Sequence, residues 1–201
     1  METDDALISS LARDLDGSFE SLVIAHQDRL YSIALRFLGD PRDAEEAAQD
    51  CLVRAYRALA GYDAERIRDL RLRPWLATIV LNLCRTKAAR RKRAGAPALS
   101  LDINEPGRAL AEPAADPARS PVAIADRREA RDRWATLVAG LPQAYRAAVV
   151  LRHVDGLSYP ELAQVLDRPE GTVKAQVHRG LALLRTAHEA AERRELEEMS
   201  A

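Results

Sequence analysis

Between residues 94 and 125 the chain carries five prolines, Pro97, Pro106, Pro113, Pro117 and Pro121, set among Ala, Asp and Gly. Such a composition cannot sustain a packed core, and the segment reads as a flexible linker. The 201-residue chain is therefore expected to form two small domains, residues 18–93 and 126–188. An acidic segment (1–17) precedes them and a tail (189–201) follows.

Both domains read as helical. Phe19, Leu22, Val23, Leu30, Ile33, Ala34 and Phe37 recur at helical spacing until Gly39-Asp40-Pro41 breaks the pattern. A second helix is expected from about Arg42 to Leu59, with Asp43, Glu45 and Glu46 in the first turn, where the helix dipole favours anions. Residues 61–73 show no clear period and hold Arg66, Arg68, Arg71 and Arg73, which reads as a basic loop. Pro74 suits the first position of a third helix, through Trp75, Leu76, Ile79, Val80 and Leu83 to a cationic end at Arg85, Lys87 and Arg90 to Arg93. Aromatics are only 4% of residues, and the abundance of Ala, Leu, Arg and Glu also favours an all-α fold.

The second domain opens with a charged helix, Asp126 to Val138, and a break at Gly140-Leu141-Pro142; a helix from about Gln143 to His153 follows. Ser158 and Glu161 then form a Ser-x-x-Glu capping box for a short helix ending near Leu166. After the turn Asp167-Arg168-Pro169, a final helix places Val173, Val177, Leu181 and Leu184 on one apolar stripe. Two helices across so short a turn make a helix-turn-helix. If the stripe faces inward, Thr172, Lys174, Ala175, His178 and Arg179 face out. Long cationic side chains suit phosphates and guanine edges, and a small residue permits close approach to bases. A solvated face of a terminal helix has the same composition; the capping box and the proline-containing turn favour DNA reading.

Charge along the chain alternates, at −4 for residues 1–17, +5 for 18–93, −2 for 94–125, +3 for 126–188 and −3 for 189–201. A polyanion would contact the two basic blocks, although ordinary scatter in an Arg-rich chain gives a similar pattern. In the first block, Tyr62 and Trp75 are stacking candidates for an unpaired base, while the apolar run after Trp75 favours the core for it. Asn82, a polar amide among Val80, Leu81 and Leu83, must face solvent or make a specific hydrogen bond, and amides read base edges well.

No catalytic set is apparent. His26, His153, His178 and His188 lie apart, there is no Ser-His-Asp or Cys-His pattern and no Gly-rich phosphate loop, so neither an enzyme nor a metal or other cofactor is expected. Cys51 and Cys84 lack metal-ligand spacing and read as buried thiols. No apolar run approaches about 18 residues and the first residues are acidic, so no membrane insertion and a reducing cytoplasm are expected.

The order of motifs resembles extracytoplasmic-function sigma factors of the sigma-70 family. Asp28-Arg29-Leu30-Tyr31, Leu38-Gly39-Asp40-Pro41, Asp43-Ala44-Glu45, Gln49-Asp50 and Trp75-Leu76 with Asn82 are similar to their domain 2. Leu141-Pro142, Leu151-Arg152, Gly156-Leu157-Ser158-Tyr159, Glu161-Leu162-Ala163 and Gly171-Thr172-Val173-Lys174 through His178-Arg179 to Leu184-Arg185 are similar to their domain 4. The resemblance implies that Asp43, Glu45, Glu46, Gln49 and Asp50 dock on the beta-prime clamp of core RNA polymerase, with the beta flap as a further contact. It implies that Arg66, Arg68, Arg71, Arg73, Asn82 and Arg85 serve the minus-10 element, where a flipped base is captured at a cost of a few kcal/mol. The final helix then reads the minus-35 element in the major groove through Thr172, Lys174, Ala175, His178 and Arg179. The resemblance also implies that the acidic linker threads toward the RNA exit channel and that an anti-sigma factor holds the protein inactive. Ala175 and Gln176 stand where relatives commonly carry Ser and Arg, and the loop between Tyr62 and Trp75 is longer and richer in Arg than usual, so promoter sequence does not carry over. A helix-turn-helix regulator acting without polymerase is the alternative, and it leaves residues 18–93 without a role.

Overall fold

A computed structural model describes residues 4–93 and 133–199, which fall into two compact units. The linker 94–125 and the start of the helix expected from Asp126 lie outside the described residues. Among the described residues there is no strand.

Among its described residues the first unit has five helices: α1 (Asp4–Arg13), α2 (Leu15–Leu38), α3 (Pro41–Leu59), α4 (Ala64–Arg68) and α5 (Leu72–Arg93). Carboxylates set three of the helix starts. Asp14 accepts from the Gly17 N–H, Asp40 from the Asp43 N–H and Asp63 from the Arg66 N–H, each satisfying a donor that the first turn leaves unpaired. Gly39 ends α2 at φ 74°, a left-handed position that suits glycine. The core joins Leu22, Leu30, Ile33, Ala34 and Phe37 of α2 to Leu76, Ala77, Val80 and Cys84 of α5. Between them α3 turns inward a small-residue stripe, Ala44, Ala47, Ala48, Cys51 and Ala55. Burial pushes the Cys51 and Cys84 thiols up to about 12, and both are free.

Two readings of this unit need correction. The acidic segment 1–17 contains α1, which buries Leu7, Ile8 and Leu11 against the domain. Its net charge makes it read as acidic, but Leu7, Ile8 and Leu11 share one helical face. The basic loop 61–73 contains α4, and α5 begins two residues before Pro74. One apolar residue, Ile67, is buried in α4, too few to produce a period.

Among its described residues the second unit opens on α6, residues 133–140, and continues through α7 (Gln143–Val149) directly into a π turn, Val150–Val154. Then come α8 (Tyr159–Leu166) and α9 (Glu170–Met199). Val149, Val150, Leu151, Leu157, Leu162, Val165, Val173, Val177 and Leu184 form the core. Gly180 lets α9 approach α7 closely, because a Cβ there would lie 2.6 Å from Val149 Cγ2. The Arg146 guanidinium donates to the carbonyl oxygens of Ala139 and Leu141, stapling the start of α7 to the preceding turn. Helix α9 runs on through residues expected to be a tail. Ala, Glu and Arg are strong helix formers, and His188 stacks on Trp134 at 5.8 Å between ring centroids.

Candidate nucleic-acid and polymerase interfaces

The helix-turn-helix is built as its residues direct. Ser158 Oγ accepts from the Glu161 N–H, and the Glu161 carboxylate accepts in return from the Ser158 N–H at 2.8 Å, so both halves of the capping box form. Asp167 then closes α8 in the left-handed region at φ 50°, a conformation an Asp side chain tolerates. Asp167 therefore sets the angle at which α9 leaves.

On α9, Val173, Val177, Gly180 and Leu184 are buried. Thr172, Lys174, Ala175, His178 and Arg179 are all exposed. Thr172, Ala175 and Arg179 follow at three- and four-residue steps along one side of the outward face, and Lys174 and His178 along the other. Ala182 continues the first line, so small residues flank the cations at the surface. The Lys174 ammonium lies 5.3 Å from the Tyr159 ring centroid and the Arg152 guanidinium 5.0 Å from it, which ties this face to α8.

In the first unit, Arg71, just before α5, and Trp75, Thr78, Asn82 and Arg85 on it follow at three- and four-residue steps and so share one stripe. Asn82 is exposed, and its Oδ1 accepts from Arg85 Nη1 at 3.4 Å. Trp75 is half-buried rather than fully core. Its ring lies 6.4 Å from Tyr62, over which the Arg66 guanidinium sits at 3.9 Å. This layered set was only partly legible, since nothing in the spacing announced the Arg66–Tyr62 contact. Arg68 is exposed on α4. Arg73 lies about two and a half turns before Asn82, on the other side of α5 from the stripe, and its carbonyl accepts from Arg29 Nη2 at 3.1 Å.

The acidic residues of α3 divide into two groups. Asp43 faces α5, with Oδ2 3.1 Å from Arg91 Nη1 and Oδ1 3.5 Å from Lys87 Nζ. Glu46 lies 2.8 Å from Lys87 Nζ. The Lys87 hydrogen bond and charge hold the Glu46 carboxyl below its usual range. Burial pulls the Lys87 ammonium down, but Glu46 and Asp43 outweigh it and the net shift is upward. Glu46 nevertheless stays exposed, with Glu45, Gln49 and Asp50, on the outer face. Val53, 48% exposed, extends the Glu45–Gln49 line by one turn, and the polar signal gave no hint of it. Tyr56 is next along and donates from its hydroxyl to Asp16 Oδ1 at 2.7 Å.

Among the described residues no group of three His, Cys, Asp or Glu side chains is placed to hold a metal, and no helix is long and apolar enough to cross a membrane.

Comparison with known proteins agrees with this division. The family description Sigma-70 region 2 matches residues 22–94, and Sigma-70, region 4 matches residues 131–184. The chain is 35% identical over 168 residues to the ECF RNA polymerase sigma factor SigE of Mycolicibacterium smegmatis, covering 84% of this chain and 60% of that longer relative. It is 30% identical over 172 residues to the ECF RNA polymerase sigma factor SigW of Bacillus subtilis, covering 84% of this chain and 87% of SigW. The sigma factor RpoE of Bartonella quintana, solved in complex with the anti-sigma factor NepR, shares the fold at a TM-score of 0.61 and 20% identity, with 85% of this chain and 96% of that one covered. The chain belongs to the extracytoplasmic-function sigma factors of the sigma-70 family, promoter-recognising initiation factors of RNA polymerase rather than enzymes.

Proposed function

We propose that the protein divides promoter recognition between its two units and contributes no catalytic group. Helix α9 enters the major groove of the minus-35 element, with Thr172, Lys174, Ala175, His178 and Arg179 nearest phosphates and base edges. The α4 segment and the α5 stripe hold the unpaired strand of the minus-10 element, through Arg66, Arg68, Arg71, Asn82 and Arg85. Arg73, off the stripe, is left to long-range attraction. Glu45, Glu46, Gln49 and Asp50 dock on the beta-prime clamp, Glu46 staying exposed beside Lys87, whereas Asp43, engaged by Lys87 and Arg91, lies at the edge of that surface. The second unit also contacts the beta flap. The protein works in the cytoplasm and is held inactive by an anti-sigma factor, as RpoE is seen bound to NepR.

The observation that carries this reading is the outward face of α9, cationic and small-residued, following a helix whose start is fixed by a complete capping box. The test is transcription by core polymerase, with and without the full chain, from a promoter that core alone ignores. Specific initiation that needs the chain supports the reading, and no change in start-site selection rejects it. The Glu45→Lys variant separates the docking claim: core affinity should fall while melting temperature holds, since exposed charges contribute little stability. Unchanged core affinity places docking elsewhere.

A further inference from the structure

Helix α4 has five residues, too few to persist alone, because nucleation costs more than so few hydrogen bonds return. Its one buried residue, Ile67, sits in a cluster with Leu7, Ile8 and Leu11 of α1, Leu22 of α2, Leu59 of α3 and Leu72 of α5. Tyr62, Leu70 and Trp75 pack against the same cluster. Three of its seven buried members come from α1, a helix that carries none of the DNA-facing residues named above.

We infer that α1 is a positioning element for promoter selection, acting through Ile67 to hold the Tyr62–Arg66 stack and the flanking arginines in one geometry. This rests on the minus-10 reading given above. A segment held in advance loses little conformational freedom when a strand arrives, and a loosened one must be ordered at that moment. Attraction to phosphates survives such loosening, because it needs only charge. Base discrimination does not, because it depends on where the donors stand. Loss of α1 packing therefore lowers selectivity while leaving general affinity for single strands in place.

The experiment uses holoenzyme assembled from core polymerase and the full chain, which selects from a pool of single-stranded DNA oligonucleotides with six randomised positions. Parent, Leu7→Ala, Ile67→Ala and Ile67→Val are compared with Ile33→Ala, a buried position outside the cluster whose loss of melting temperature serves as the match. Leu7→Ala and Ile67→Ala should flatten the base preference of the parent by roughly fivefold, the scale of one lost base contact. Core affinity and total strand binding should stay unchanged, Ile67→Val should restore most of the preference, and Ile33→Ala should keep it. Preference retained by the α1 variants, or lost equally in Ile33→Ala, overturns the inference, as does loss of core binding alongside. The underlying reading has its own control: if Arg66→Ala with Arg71→Ala keeps the parental preference, the segment does not read the strand and both claims fail.

Discussion

The last turns of α5 and the first turns of α9 both carry cations but differ in what faces them. In α5, Lys87 and Arg91 lie against the acidic start of α3, at 2.8 Å from Glu46 and 3.1 Å from Asp43. In α9, His178 and Arg179 are exposed and, among the described residues, have no carboxylate partner. The difference comes from the neighbouring helix. Helices α3 and α5 run antiparallel, bringing Cys51 beside Leu76 at one end and Asp43 beside Lys87 at the other. Acidic residues favoured at the start of one helix thus meet cations favoured at the end of the next. A cationic run is a candidate nucleic-acid surface only where no such partner faces it.

The largest effect expected from this contrast is alkaline weakening of the first unit alone, since the sequence holds no cysteine beyond Cys51 and Cys84. Burial raises both thiols to about 12, so the folded chain keeps protons that the unfolded chain releases above about pH 8.5. Their contribution is complete below that value and is lost as pH rises toward 12, by about 2 kcal/mol per thiol at pH 10. Urea unfolding at pH 8 and pH 10 checks this against Cys51→Ala with Cys84→Ala. Equal losses in parent and variant remove the thiols as the cause.

In the second unit, Gly180→Ala places a methyl group against Val149 and should cost about 1–3 kcal/mol, read by thermal melting. A neutral result would mean that α7 and α9 yield there more readily than their packing suggests. Arg179→Ala should leave melting unchanged but weaken binding to the upstream promoter element by about 1–3 kcal/mol, measured in holoenzyme titrations. Parental affinity in that variant would break the contrast at its centre. The smallest change is expected for Lys87→Met, below about 1 kcal/mol in stability, because the pair is partly exposed and Arg91 still faces Asp43. A drop in promoter affinity from Lys87→Met, larger than from Arg179→Ala, would show that Lys87 reaches DNA despite its carboxylate partners.

Much of this was legible because local chemistry announced it. The Ser158–Glu161 box, the Gly39 break and the Val173–Leu184 stripe each specify their structure within a few residues, and the structure follows them. What the sequence hid was set by contacts between distant segments. Helix α4 exists because Ile67 meets Leu7, Ile8 and Leu11 some 60 residues away in the chain, and no window of periodicity spans that distance. The ion pairs of Asp43 and Glu46 with Lys87 and Arg91 emerge only once α5 is placed beside α3. Val53 is exposed in line with Glu45 and Gln49, a placement visible only once the buried side of α3 is known.

Helix α9 has 30 residues without a proline, so it extends about 45 Å as a single rod. Its exposed start, with Lys174 and Arg179, and the distal turns beyond the Trp134–His188 stack share one stiff axis. A load on the distal turns is therefore felt at the first turns, where a small tilt moves Lys174 and Arg179 together.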